Sequence, residues 1–153
     1  MDNADATRQV EYEQMLLGRY LHLHKSKGRS KGSTLDRSAY ILLSRIRMQG
    51  PMSIGQLCDA FGLDASTLNR QTAAAMRSGL VERIPDPEGG MARKFRITAE
   101  GEQRLDAERE GIVESLEAIM ADWAEEDVAE FAAYLKRFNT DIERIGGRPW
   151  PRP

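Results

Sequence analysis

"MSIGQLCDAFGLDASTLNRQTAAAMRSGLVERIPDPEGGMARKFRITAEG", Met52 to Gly101, is the stretch whose reading decides the fold. In "SIGQLCDAFGL", Ser53 and Gln56 have the spacing of a capping box. The hydroxyl takes one free backbone N–H at the helix start and the amide reaches back for another. Leu57 and Phe61, four residues apart, give this short helix one buried side, and Gly62 ends it. Asp64 can cap a second helix, "ASTLNRQTAAAMRSG", which closes at Gly79. With Leu68 as the buried direction and about 100° per residue, Thr72, Ala75 and Met76 fall beside it. Ser66, Arg70, Ala73 and Arg77 fall on the opposite face, flanked by Thr67 and Asn69. That outward face is small, polar and basic, with no acidic residue.

A hairpin follows. "RIPDPEGGMARKFRIT", Arg83 to Thr98, is expected to form a strand near 80–84, a loop at 85–92 and a strand at 93–97. Phe95 and Ile97 alternate with Lys94 and Arg96, the period of a strand with one buried face. Two short helices joined by "FGLD" and followed by a two-stranded hairpin make a winged helix-turn-helix. A helix that enters the major groove needs small or polar side chains at its N-terminal end, so that backbone and base edges approach closely. Ala65, Ser66, Thr67, Asn69 and Arg70 supply them. Asn can pair bidentately with adenine and Arg with guanine, and the positive end of the helix dipole favours phosphate.

Helices are expected on both sides of this core. Tyr12, Leu16, Tyr20 and Leu23 recur at helical spacing, which predicts a first helix over about 5–25. "KSKGRSKGS", Lys25 to Ser33, reads as a basic loop. A helix in "LDRSAYILLSRIRMQGP" has Ala39, Leu42, Leu43 and Ile46 on one side and stops at Gly50–Pro51. Thr98 caps a long helix to about 122. A last helix over about 125–145 carries Val128, Phe131, Leu135, Phe138, Ile142 and Ile145 at alternating three- and four-residue spacings, a seam suited to another helix. The fold class is therefore mainly α with a small β-hairpin wing. The expected domains are an N-terminal helix and basic loop (1–34), the winged helix-turn-helix (35–97), long C-terminal helices (98–145) and a disordered tail (146–153).

The chain has 153 residues with a net charge of −2, 41% hydrophobic and 30% charged. The whole-chain charge conceals an asymmetry. Residues 65–97 carry six Lys/Arg against three Asp/Glu, while 98–145 carry five against fourteen. Charge clustered this way is the quantity that matters for a polyanionic partner. No apolar run approaches the roughly 18 residues that would cross a bilayer, the acidic N-terminus does not read as a signal peptide, and a single cysteine excludes an internal disulfide. A reducing cytoplasm is the expected compartment.

In its ordered pieces this stretch resembles the DNA-binding core of MarR-type transcriptional regulators: the "SGLVER" turn into the first wing strand, "DP" opening the wing, and "RITAEG" leading into a long helix. The resemblance covers about residues 10 to 145. It implies a homodimer, with dimerisation helices at both chain ends, that binds a pseudo-palindromic double-stranded operator. Such regulators are usually repressors released by a small molecule or an oxidant. The seam of the last helix would pack with the first helix and the partner's equivalents. The implied DNA contacts are Ser66, Thr67, Asn69 and Arg70 for specificity, with Arg70, Arg77, Arg93 and Lys94 for electrostatic affinity. The family's wing usually carries an Asp and, two residues later, an Arg that enters the minor groove. Counted from Asp86–Pro87, those positions hold Gly89 and Met91. The basic residues trail behind the tip, so a mobile wing that grips phosphate, or groove entry by a re-aimed Arg93, is expected.

Tyr20, His24 and Tyr40 are candidates to line an effector pocket between the DNA-binding lobe and the dimer helices. His22 and His24 point about 200° apart on a helix and cannot share a metal, and no zinc-spaced Cys/His cluster occurs, so no metal or cofactor is expected. No nucleophile–base set or phosphate-binding glycine loop is present, which argues against an enzyme. Two alternatives remain open. One is a winged-helix protein-interaction module without DNA binding. The other is a thiol switch at Cys58, although that residue sits where a small buried side chain is expected.

Overall fold

A computed structural model describes residues 2–23 and 35–153. It divides into two compact units, Met1–Thr34 and Leu35–Pro153. In the first, α1 spans Asn3–Leu23. The Asp2 carboxylate accepts the Asp5 N–H at 2.8 Å and so stands at the start of the helix. Val10, Tyr12, Met15, Leu17 and Tyr20 are exposed along it.

The second unit contains α2 (Arg37–Gln49), α3 (Ile54–Phe61), α4 (Ala65–Arg77), β1 (Val81–Ile84), β2 (Lys94–Ile97), α5 (Ala99–Ile119) and α6 (Glu125–Gly146). Local chemistry sets most of these boundaries. Asp36, Ser53, Asp64 and Thr98 each accept a backbone N–H three residues on, which satisfies a donor that the helix itself leaves free. At α3 the box is complete: Ser53 Oγ takes the Gln56 N–H at 3.2 Å and Gln56 Oε1 takes the Ser53 N–H at 2.9 Å. Gly62 ends α3 in the left-handed region, φ 64°.

β1 and β2 pair antiparallel, with Val81 opposite Ile97 and Arg83 opposite Phe95. Met52 extends this hairpin on its inner side, exchanging two backbone hydrogen bonds with Phe95 at 2.8 and 3.1 Å. One core holds the unit together. Leu42, Leu43 and Ile46 from α2, Met52, Leu57 from α3, Leu68 and Ala75 from α4, Leu80, Val81, Phe95 and Leu105 from α5 are all buried. Each fully buried large side chain stabilises this packing by about 1.5–3 kcal/mol. Gly101, in the first turn of α5, lies so close to the Leu80 carbonyl that a Cβ there would overlap the oxygen. That contact draws α5 onto the turn between α4 and the wing. An Arg47–Asp106 ion pair further joins α2 to α5.

The C-terminal helices are different. Val113, Leu116 and Ile119 on α5, and Phe131, Leu135, Phe138, Ile142 and Ile145 on α6, are exposed. None of the residues of α6 is buried. Only Val128 of its seam is half-buried, and Trp123 meets Phe131 edge-on at 5.7 Å.

One expectation is corrected. Met76, placed on the buried side of α4, is 37% exposed, because α4 buries a narrower stripe through Leu68, Thr72 and Ala75. The tail at 146–153 has no regular structure beyond the end of α6, and its Trp150 is half-buried. The Trp150 ring stacks on Phe61 of α3, with centroids 5.6 Å apart and planes at 22°. Proline and glycine preclude a helix or strand there, but an aromatic ring can still anchor an irregular chain.

Candidate nucleic-acid interface

The outward face of α4 is built by its N-cap. Asp64 Oδ1 accepts the Thr67 N–H at 2.8 Å and the Ser66 hydroxyl at 3.0 Å. These hydrogen bonds, those to Thr67 foremost, hold the Asp64 carboxyl below the usual carboxylate range; Ser66 and Arg70 add to the effect and burial opposes it. Leu68 and Thr72 anchor the opposite face, with Thr72 Oγ1 donating to the Leu68 carbonyl at 2.8 Å. Ser66, Asn69, Arg70 and Arg77 are left exposed and Thr67 half-buried. Arg70 Nη2 reaches Thr67 Oγ1 at 3.4 Å, so this guanidinium lies back along the helix toward its N-terminus. Arg77 makes no ion pair among the described residues. The positive end of α4 already faces a carboxylate, so a phosphate approaching there would compete with Asp64.

The wing is organised around Asp86. Its Oδ1 accepts the Glu88 N–H at 2.9 Å and lies 3.5 Å from Lys94 Nζ, with both side chains 14% exposed. The Glu88 N–H does most to lower the Asp86 carboxyl below its ordinary value, burial opposes this, and Lys94 and the Gly90 N–H assist. Gly90 packs against the same carboxylate, where a Cβ would overlap it. Gly89 turns the tip with φ 84°, and Met91 at the tip is completely exposed. The residues of "PEGGM" therefore wrap an acidic centre rather than forming a featureless glycine loop.

This arrangement sorts the basic residues of the wing. Lys94 is committed to Asp86. Arg96 Nε donates to Glu82 across the hairpin at 2.8 Å. Arg83 lies 5.5 Å from the centre of the Phe95 ring. Arg93 is exposed and makes no ion pair among the described residues. Of the two wing residues expected to contact DNA, Arg93 presents an uncommitted charge and Lys94 does not.

The sequence profile of the MarR family matches residues 33–90. The uncharacterized HTH-type transcriptional regulator YxaD of Bacillus subtilis (strain 168) is 34% identical over 140 residues, covering 91% of this chain and 96% of YxaD. The chain belongs to the MarR family. This makes it a transcriptional regulator by family, and solved members share its fold. A MarR family protein from Bacillus stearothermophilus superposes with a TM-score of 0.73 at 16% identity, over 93% of this chain and 99% of that one. The transcriptional regulator BldR from Sulfolobus solfataricus gives 0.66 at 20%, over 90% and 99%.

Of the candidate effector residues of this MarR-family chain, Tyr20 is exposed on α1. Tyr40, half-buried on α2, accepts a 3.5 Å hydrogen bond from Arg109 Nε through its hydroxyl. His24 lies outside the described residues. A cleft of about 420 Å³ lies elsewhere in the second unit, bounded by α2, α3, α4, the end of α6 and the tail. Cys58 is half-buried and packs against the core.

The sequence reading missed Asp86 as the centre of the wing and Arg45, Glu143, Trp150 and Arg152 as one cluster. "DP" and the isolated tryptophan were visible signals for each. Their partners are non-local, and nothing in the spacing names them. No helix among the described residues is long and apolar enough to cross a membrane.

Proposed function

We propose that this chain is a homodimeric, sequence-specific DNA-binding regulator, acting as a cytoplasmic repressor that a small-molecule effector releases. The observation that supports it best is the exposed face of α4. Ser66, Asn69, Arg70 and Arg77 stand there on a helix whose opposite side is locked into the core. Asn69 and Arg70 are assigned to base edges, Arg77 and Arg93 to phosphate, and Ser66 and Thr67 to the close approach at the helix start. The missing wing arginine leaves Arg93 as the wing's contribution, and Lys94 acts by holding the wing's shape.

The homodimer is supported by apolar surface. Leu116 and Ile119 of α5 and Phe131, Leu135, Phe138 and Ile142 of α6 are exposed, and large apolar side chains left to water along a helix are what a partner helix covers. The acidic balance of that half keeps it away from phosphate. A two-fold dimer presents two recognition helices, which is why the target is expected to be a pseudo-palindrome.

Fluorescence anisotropy with duplexes from the chain's own upstream region, together with light scattering for mass, tests this reading. Binding at low salt by a particle of twice the chain mass is expected. The rival reading, a protein-interaction module on a winged-helix fold, takes its support from the intramolecular pairing of Lys94 and Arg96. Failure to bind any duplex at low salt, where non-specific binding is strongest, would favour it.

A further inference from the structure

We propose that the C-terminal tail, residues 147–153, is a strap that latches the end of α6 onto α2 and α3 and so orients the recognition helix relative to α6. Gly147 caps α6 in the left-handed region, φ 68°, and turns the chain back. Arg148 then lies against Gly62, where a Cβ at Gly62 would come within 2.9 Å of the guanidinium carbon. Beyond it the Trp150 ring stacks on Phe61, and the Arg45 guanidinium of α2 sits 4.8 Å from the centre of the same indole. One side chain of the tail therefore touches both α2 and α3.

Glu143, in the last turn of α6, fastens the strap. Its carboxylate accepts Arg152 Nη1 at 2.9 Å and the Trp150 N–H at 3.4 Å. Arg152 Nη1 also donates to the Trp150 carbonyl at 3.2 Å. Arg152 holds the Glu143 carboxyl below its ordinary range; burial opposes this, and the Trp150 N–H and the Arg45 charge assist. Arg45 is 8% exposed, donates through Nε to Gln49 at 2.9 Å, and keeps a buried Nη1 with no hydrogen-bond partner among the described residues. A buried guanidinium with an unsatisfied donor is costly to hold. The Glu143 charge of α6 offsets part of that cost, and the Trp150 face offsets more of it while the strap is docked. The strap also forms one wall of the cleft that Gln71 of α4 lines, so strap and recognition helix border the same space. Since α6 buries none of its own residues, this latch is a principal tie between its end and the helix-turn-helix.

The test has two arms. In the first, Trp123→Phe leaves Trp150 as the sole tryptophan. Docking predicts blue-shifted emission and iodide quenching several-fold slower than in the urea-unfolded chain, with both lost in Trp123→Phe/Glu143→Gln. Hydrogen exchange in the full chain is expected to quicken at α3 amides by about tenfold in Trp150→Ala and return toward wild type in Trp150→Phe, which keeps a ring on Phe61. Solvent-like Trp150 emission, or α3 exchange unchanged in Trp150→Ala, overturns the strap. The second arm concerns orientation and rests on the DNA-binding reading. A chain ending at Gly147 should lose about tenfold more affinity for a duplex selected by the full chain than for a random duplex. Equal loss on both duplexes overturns the orienting role. Failure of the full chain itself to bind DNA instead counts against the DNA-binding reading, leaving the first arm to decide the strap.

Discussion

Asp86 and Lys94 face one another across the base of the wing at 3.5 Å, each with 14% of its side chain exposed. In the function proposed above, Lys94 braces the loop that carries Arg93 rather than meeting phosphate. The two residues make opposite predictions on substitution. Arg93→Ala should weaken DNA binding alike for every sequence and lower the slope of log K against log salt by about one contact. Lys94→Ala should leave that slope nearly unchanged and act through loosened wing geometry, seen as faster exchange of the Glu88 and Gly90 amides. A full unit of lost slope in Lys94→Ala would restore it as a phosphate contact.

On α4 the separation is between charge and base reading. Arg77→Ala is expected to weaken random and selected duplexes equally and to reduce the salt slope by about one. Asn69→Ala should relax discrimination at a particular base pair by about 1–3 kcal/mol, measured by competition among single-base variants. Wild-type behaviour in both variants would remove α4 as the recognition helix.

The close approach of Gly101 to the Leu80 carbonyl predicts a stability effect with no DNA involved. Gly101→Ala forces a methyl group into backbone and should cost about 1–3 kcal/mol by overpacking, read as a lowered thermal midpoint. A control on an exposed helix residue, Glu102→Ala, should stay within about 0.5 kcal/mol. Leu57→Ala, which empties a fully buried site, should cost about 2–5 kcal/mol.

Acid sensitivity follows from the α4 cap. The folded-state pKa of Asp64 is lowered by its hydrogen bonds, so its contribution is fully present above the unfolded value of about 3.9. It is lost as pH falls below that value toward the lowered folded one. Asp64→Asn keeps a capping oxygen without the titrating charge. The melting temperature of wild type should therefore fall more steeply below about pH 4 than that of the variant. Parallel acid limbs would show that the carboxylate is not stabilised by folding.

Much of the reading core was legible because it is local. Ser53–Gln56, Asp64 and Thr98 lie within three residues of the amides they cap, and the Phe95/Ile97 alternation lies within one strand. The order of elements in the winged helix follows from these signals alone. What could not be read depends on pairs far apart in the chain. Glu82 and Arg96 are fourteen residues apart, and meet because the hairpin register brings them opposite each other. Trp150 and Phe61 are far apart in the chain and stack only in the folded structure. Met76 was misplaced for a related reason: helical periodicity gives a direction but not the width of the neighbouring surface that covers it.

The sequence by itself determined the winged helix-turn-helix and the polar, basic face of α4, because caps, turn glycines and hydrophobic periods act over a few residues. Only the tertiary structure decided which cations stay available. Lys94 and Arg96 are spent on carboxylates that folding brings beside them, while Arg77 and Arg93 find no ion-pair partner among the described residues. It also decided that the tail is a packed strap, since stacking depends on distance in space rather than along the chain. Charge could be counted from the residues, but whether each charge is free is a property of its neighbours.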